Sequence, residues 1–183
     1  MKDRLSERQK TVIAFFLLAV MGCVIGWVYE MLFYRIDMGH FIRRGQGFGP
    51  WLPIYGFGAL GLTAFTYKKA LPAWLVFIIA VVGSFIIEFG TGYVLFHYFG
   101  GLRLWDYNTE IWNYGNIGGY VCLRSVLIFG VMGVLFVLLA IPKIRKLVET
   151  KKTKALVTFT IILAVVFFAD IIYGYFIHSA LVK

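Results

Sequence analysis

Five ionisable side chains stand inside otherwise apolar sequence: Glu30, Glu88, Arg124, Asp170 and His178. An ionised residue at the centre of a membrane helix costs about 2.5–3.5 kcal/mol, so four of them facing lipid would cost on the order of 10 kcal/mol. These side chains are therefore expected to turn inward. Their spacing supports this. Gly22, Gly26 and Glu30 repeat every four residues, as do Ser84, Glu88 and Gly92, and Asp170, Gly174 and His178. Residues four apart share one helix face, and faces lined by small residues let helices approach closely in lipid. The acids are expected to lie on tight-packing faces and to converge. Arg124 can then hold one carboxylate in a bidentate pair, while the others need a proton or a cation. Which acid pairs with Arg124 is left open by the sequence. A site for substrate or protons is one outcome. A structural Arg–Glu pair that knits helices together, with Glu30 and His178 interfacial, is the other.

The elements that must position these groups follow from composition. At 61% hydrophobic and 15% charged residues, the chain departs from the soluble average of about 45–50% apolar and about 25% charged. A span needs about 20 mostly apolar residues, and such segments are expected at 11–33, 51–67, 72–99, 117–141 and 155–180. The expected fold is an all-α, polytopic membrane protein, a bundle of about five transmembrane helices in a single transmembrane domain. The basic start followed by an apolar run has the look of a signal peptide, but the run is long and is read as a retained first helix. The net charge of +9 sits in short flanks between apolar runs, which marks topology; no nucleic-acid partner is expected. With five spans, an N-terminus inside and a C-terminus outside, most Lys and Arg fall on the cytoplasmic side. Letting 51–67 merely dip into the membrane reverses that balance. Cys23 and Cys122 lie within expected spans and read as small packing residues.

Two connections on the expected outer side carry further polar groups. Residues 100–116 include Trp105, Asp106, Tyr107, Trp112, Asn113 and Tyr114, and 45–55 reads GQGFGPWLPIY. Trp27, Trp74 and Trp112 fit an interfacial aromatic belt. Asp106, between Trp105 and Tyr107, and the Gly- and Pro-rich entry to the second segment are instead placed to lid a pocket over the acids. There is no phosphate loop, HExxH, zinc-spaced Cys pair or GxSxG, and His40, His97 and His178 lack ligand spacing. No cofactor or metal is expected. The basic connection 142–154 reads as a cytoplasmic anchor and is the one inner segment long enough to dock a partner.

GFGPWLPIYGFGALG (47–61), the region of Glu88, Thr91 and Gly92, LWDYNTEIWNYGNIGGYVCLR (104–124) and the following SVLIFG resemble the ABC-transporter permease family called CmpB-type, or type IV. The resemblance covers roughly residues 12–141. It implies a membrane permease working with a separate ATP-binding subunit, since this chain has no ATPase motif. It also implies that Pro50, Trp51, Pro53, Tyr55, Gly56, Glu88, Trp105, Asp106, Tyr107, Asn116 and Arg124 are functional positions.

The resulting expectation is a small permease or transport subunit of the bacterial cytoplasmic membrane, surrounded by lipid and forming homo-oligomers to enclose a path. Its site would lie between the first, third, fourth and fifth helices in the outer half of the membrane. Arg124 would bind an anionic group, Glu30, Glu88 and Asp170 would couple protons or cations, and the loops at Trp51 and at Trp105–Tyr107 would gate. Two other readings suit the same residues. One is a membrane-embedded enzyme acting on outer-leaflet lipid, with Glu88 or Asp106 as general base, Glu30 as general acid and Arg124 binding phosphate. The other is a non-catalytic partner or assembly protein.

Overall fold

The first helix, α1 (Glu7–Asp37), starts at a capping box in which the Ser6 hydroxyl accepts from the Gln9 amide while the Gln9 side chain accepts from the Ser6 amide. Glu7 in its first turn and Arg35 in its last complement the helix dipole. At 31 residues and 1.5 Å per residue it runs about 46 Å. The computed structural model describes residues 5–150 and 153–178. Within these lie α2 (Pro53–Thr66), α3 (Ala73–Tyr98), α4 (Leu123–Leu135), α5 (Ile141–Thr150) and α6 (Thr153–Ile172). A π turn at Phe136–Ala140 joins α4 to α5, and another, Tyr173–His178, follows α6.

Glu7–Asp37, Ala73–Tyr98, Leu123–Thr150 and Thr153–Ile172 are long and apolar enough to cross a membrane. Their apolar side chains are largely uncovered by the rest of the chain: on α6, Phe159, Ile161, Ile162, Val165 and Phe168 are all more than half exposed. Such surface is stable only against lipid or a partner. The chain is a multi-pass helical membrane protein. Pro53 opens α2, as suits a residue with no amide to satisfy, and the helix has 14 residues, fewer than the roughly 20 of a full span.

The fourth segment differs most from the sequence expectation of 117–141. Helix starts only at Leu123, because Gly118 and Gly119 take positive φ and close a turn bridged by Ile117 and Val121. Helix then continues through the basic segment expected to be a connection. Pro142 lacks an amide and would clash with the carbonyl four residues back; the π turn just before it widens the hydrogen-bonded ring and relieves that clash. Past Pro142, Ile144 and Val148 are buried while Lys143, Arg145 and Lys146 are exposed, so α5 is amphipathic and packs on α1.

By internal contacts the chain divides into two compact units. The first comprises the described parts of Met1–Thr63 and Leu139–Lys183, and the second is Ala64–Leu138. In the first, α1 packs on α5 and α6; in the second, α3 pairs with α4.

Candidate functional site

In the first unit the small-residue face of α1 meets the start of α2. A Cβ on Gly26 would overlap the Tyr55 ring, and one on Gly22 would lie 2.5 Å from the Ala59 Cβ. One turn further along, Glu30 accepts from the Tyr55 hydroxyl at 2.9 Å and from Arg44 Nε at 2.5 Å. The Arg44 guanidinium lies over the Tyr34 ring, 4.4 Å from its centroid. Asp170 on α6 meets the loop between α1 and α2. One of its oxygens accepts from the Phe48 amide at 2.7 Å; the other accepts from the Gly49 amide and from the Trp51 indole at 2.7 Å. Successive backbone amides of this kind form an anion-binding concavity. Gly47 gives the carboxylate room, since a Cβ there would overlap it. Gly174, four residues after Asp170, lies flat against the backbone of the same loop. The His178 side chain falls outside the described structure.

In the second unit the connection 99–122 is a folded cap rather than a loose loop. Asp106 Oδ1 accepts from the Asn108 amide and side chain and from Arg103. Asn116 donates to Asn108 and accepts from the Gly119 amide at 2.8 Å. The Trp105 indole donates to the Tyr120 carbonyl at 2.8 Å. Gly119 has φ +78°, and a Cβ there would run into Arg103, Asn108 and Asp106, so only glycine fits this crossing.

Where the cap meets α3 and α4 lie two carboxylates and one guanidinium, all well buried. Arg124 donates through Nη2 to Glu110 at 2.6 Å and through Nη1 to the Ile111 carbonyl at 2.7 Å. Only 10% and 5% of the Arg124 and Glu110 side chains are exposed. Glu88, 5% exposed, accepts from Tyr107 at 3.0 Å and from Ser125 at 2.7 Å, and those two hydroxyls are themselves 2.7 Å apart. Burial pushes the Tyr107 phenol well above the ordinary tyrosine range, so it remains a hydroxyl donor. Low local dielectric strengthens every bond in such a network and makes each broken one expensive.

The structure thus places Glu88, Tyr107 and Arg124 in one cluster, with Trp105, Asp106 and Asn116 in the cap above it. Glu30, Trp51, Tyr55 and Asp170 belong to the first unit. Each of the three expected acids has its own partners, and the carboxylate on Arg124 is Glu110, which helical spacing did not single out. Ser125 and Arg44 were also missed. The available signal was weak: Glu110 is an acid in an aromatic, Asn- and Gly-rich segment 14 residues before the arginine, and Ser125 is simply its neighbour. Among the described residues no group of three or more His, Cys, Asp or Glu is placed to hold a metal ion.

The four long apolar helices and the polar cap that joins two of them define the class: a multi-pass integral membrane protein. The particular assignment comes from its sequence. The family model described as "Putative ABC-transporter type IV" matches residues 15–175, and the chain belongs to that family. No curated protein and no solved structure shows a significant match.

Proposed function

We propose that the chain is the membrane-embedded subunit of a transport system, with Glu88, Glu110, Arg124, Tyr107 and Ser125 forming its substrate- or proton-handling site. The observation that carries this reading is the burial of two carboxylates and one guanidinium under a cap whose own residue, Glu110, supplies the arginine's counter-charge. A purely structural cluster gains little from such an arrangement, since an apolar core of equal volume is commonly as stable. A transport site gains a switch. Lifting the cap carries Glu110 away and frees Arg124 for an anionic group of the solute; Asp106, Asn116 and Trp105 set how readily the cap lifts. In the first unit, Asp170 and Glu30 hold the loop bearing Trp51 in the same manner and act as a second gate.

The working topology takes the short α2 as a fifth crossing, with the N-terminus in the cytoplasm, the C-terminus outside and the cluster in the outer half of a bacterial cytoplasmic membrane. Energy comes from a separate ATP-binding subunit, in keeping with the family, and the exposed basic face of α5 (Lys143, Arg145 and Lys146) is its dock. The test is purification of the tagged full chain from its native membrane in gentle detergent, followed by mass spectrometry. A stoichiometric ATP-binding subunit, lost when those three residues are changed to glutamate, is the expected result. Isolation of the chain without one would remove the ATP-driven reading.

A further inference from the structure

The ring of contacts that includes Glu88 holds more hydrogen-bond positions than its two hydroxyls can fill. Three oxygen–oxygen contacts within hydrogen-bond reach close a ring: Glu88 to Tyr107 at 3.0 Å, Tyr107 to Ser125 at 2.7 Å, and Ser125 to Glu88 at 2.7 Å. Each contact needs one proton between its oxygens, and a hydroxyl donates only one. Tyr107 and Ser125 supply two. If Glu88 is a carboxylate, one contact of the three has no proton and sets lone pair against lone pair: the 2.7 Å contact between the hydroxyls when both point at the acid, or a contact to the acid when one hydroxyl points at the other. If Glu88 carries a proton, the count closes. The acid donates to one hydroxyl, that hydroxyl donates to the other, and the second donates back to the remaining carboxyl oxygen. The ring can circulate in either sense.

The charged surroundings agree with this count. The groups that face Glu88 are Tyr107 and Ser125, with Glu110 and Arg124 acting at longer range; Cys122 lies near Glu88, Glu110 and Arg124 as well. Arg124 spends a short bond on Glu110, so a second carboxylate charge would leave the cluster with an excess negative charge at a site 5% exposed. We infer that Glu88 is a proton-binding site, held in the resting protein as a neutral carboxylic acid whose proton completes the ring with Tyr107 and Ser125. This rests on the proposed transport role only for its use: a proton that leaves when the cap lifts Tyr107 away is a coupling proton. Release breaks the O–H bond of Glu88, leaves a carboxylate, and passes the proton to water entering beneath the cap.

The experiment is infrared spectroscopy of the full chain in lipid at neutral pH, comparing wild type with Glu88→Gln. The expected difference is loss of a carboxylic-acid C=O band in the variant. The amide of glutamine can donate to Tyr107 and accept from Ser125, so Glu88→Gln is also expected to keep or raise the thermal midpoint. If the difference spectrum instead shows loss of carboxylate stretches, the inference is overturned. Should Glu88→Gln fail to fold, Tyr107→Phe answers in its place. Removing one hydroxyl must move the carboxylic-acid band to higher frequency, and an unmoved spectrum overturns the assignment. Both readouts are independent of transport. A protonated Glu88 in a chain that moves no solute would sink the transport role and leave the site standing, and the reverse outcome would do the opposite.

Discussion

Both compact units tether a loop to a helix through charge, but they do so at different depths. In the first, the Arg44–Glu30 pair retains 24% and 16% of its side-chain exposure, and Asp170 receives backbone amides of an exposed loop segment. In the second, Arg124 and Glu110 retain 10% and 5%, and Glu88 is covered as completely. The chemistry is the same; the solvent is not. Coulomb attraction and the penalty for an unpaired charge both grow as water is excluded, so the second tether should behave as a near all-or-none latch and the first as an adjustable one.

The contrast is broken most directly at Arg124. Arg124→Leu strands Glu110 in a buried setting, and removing one member of a buried pair costs about 3–5 kcal/mol. Denaturant unfolding in detergent micelles should show that loss. Arg124→Leu combined with Glu110→Leu should recover most of it, because no charge is then left unpaired. A single-variant loss below about 1 kcal/mol would place the second unit's pair in the same class as a surface ion pair.

Next in size comes a variant that tests the first unit through packing instead of charge. Gly26→Leu places a side chain where the Tyr55 ring lies, and overpacking of this kind costs about 1–3 kcal/mol. It should also part Tyr55 from Glu30, seen as a change in tyrosine fluorescence or side-chain resonance. An unchanged unfolding curve would show that α1 and α2 are loosely held and that charge alone tethers this unit.

Asp170→Asn is smaller. The amide keeps one acceptor oxygen but turns an NH2 toward groups that only donate: the amides of Phe48 and Gly49 and the indole of Trp51. A loss of about 1–2 kcal/mol is expected for the charge-assisted bonds given up, and hydrogen exchange at Phe48 and Gly49 should quicken. If exchange is unaltered, the glycines rather than the carboxylate hold this loop.

How far these tethers could be foreseen depends on whether each partner lies on a helix. The i, i+4 faces were legible. Gly22–Gly26–Glu30 does meet α2 through Ala59 and Tyr55, and Asp170 and Gly174 do share the loop bearing Gly47, because helical periodicity fixes direction. Loop partners carry no such period. Glu110 reaches Arg124 only because turns at Gly115, Gly118 and Gly119, all at positive φ, fold the cap back, and the sequence shows those glycines without showing where they aim the chain. The extent of the helix through Pro142 was hidden for a related reason. Proline signals a break, and only the π turn before it lets the helix continue. Long apolar runs were legible throughout, since a membrane demands length and hydrophobicity from the segment itself.

The smallest effect is the most discriminating for the comparison. Arg44→Ala removes the first unit's guanidinium from a carboxylate that water can still reach, so a loss of about 0.2–1 kcal/mol is expected for the pair. Part of that loss is not ionic, because the guanidinium also lies over the Tyr34 ring and such contacts contribute about 0.5–1 kcal/mol at exposed sites. Salt separates the two. Raising ionic strength toward 1 M shortens the screening length to about 3 Å, which should erase the ionic share at Arg44 while leaving the cost of Arg124→Leu nearly unchanged. If salt weakens both pairs equally, water reaches the second unit's cluster as readily as the first, and the cap over Arg124 is open for much of the time.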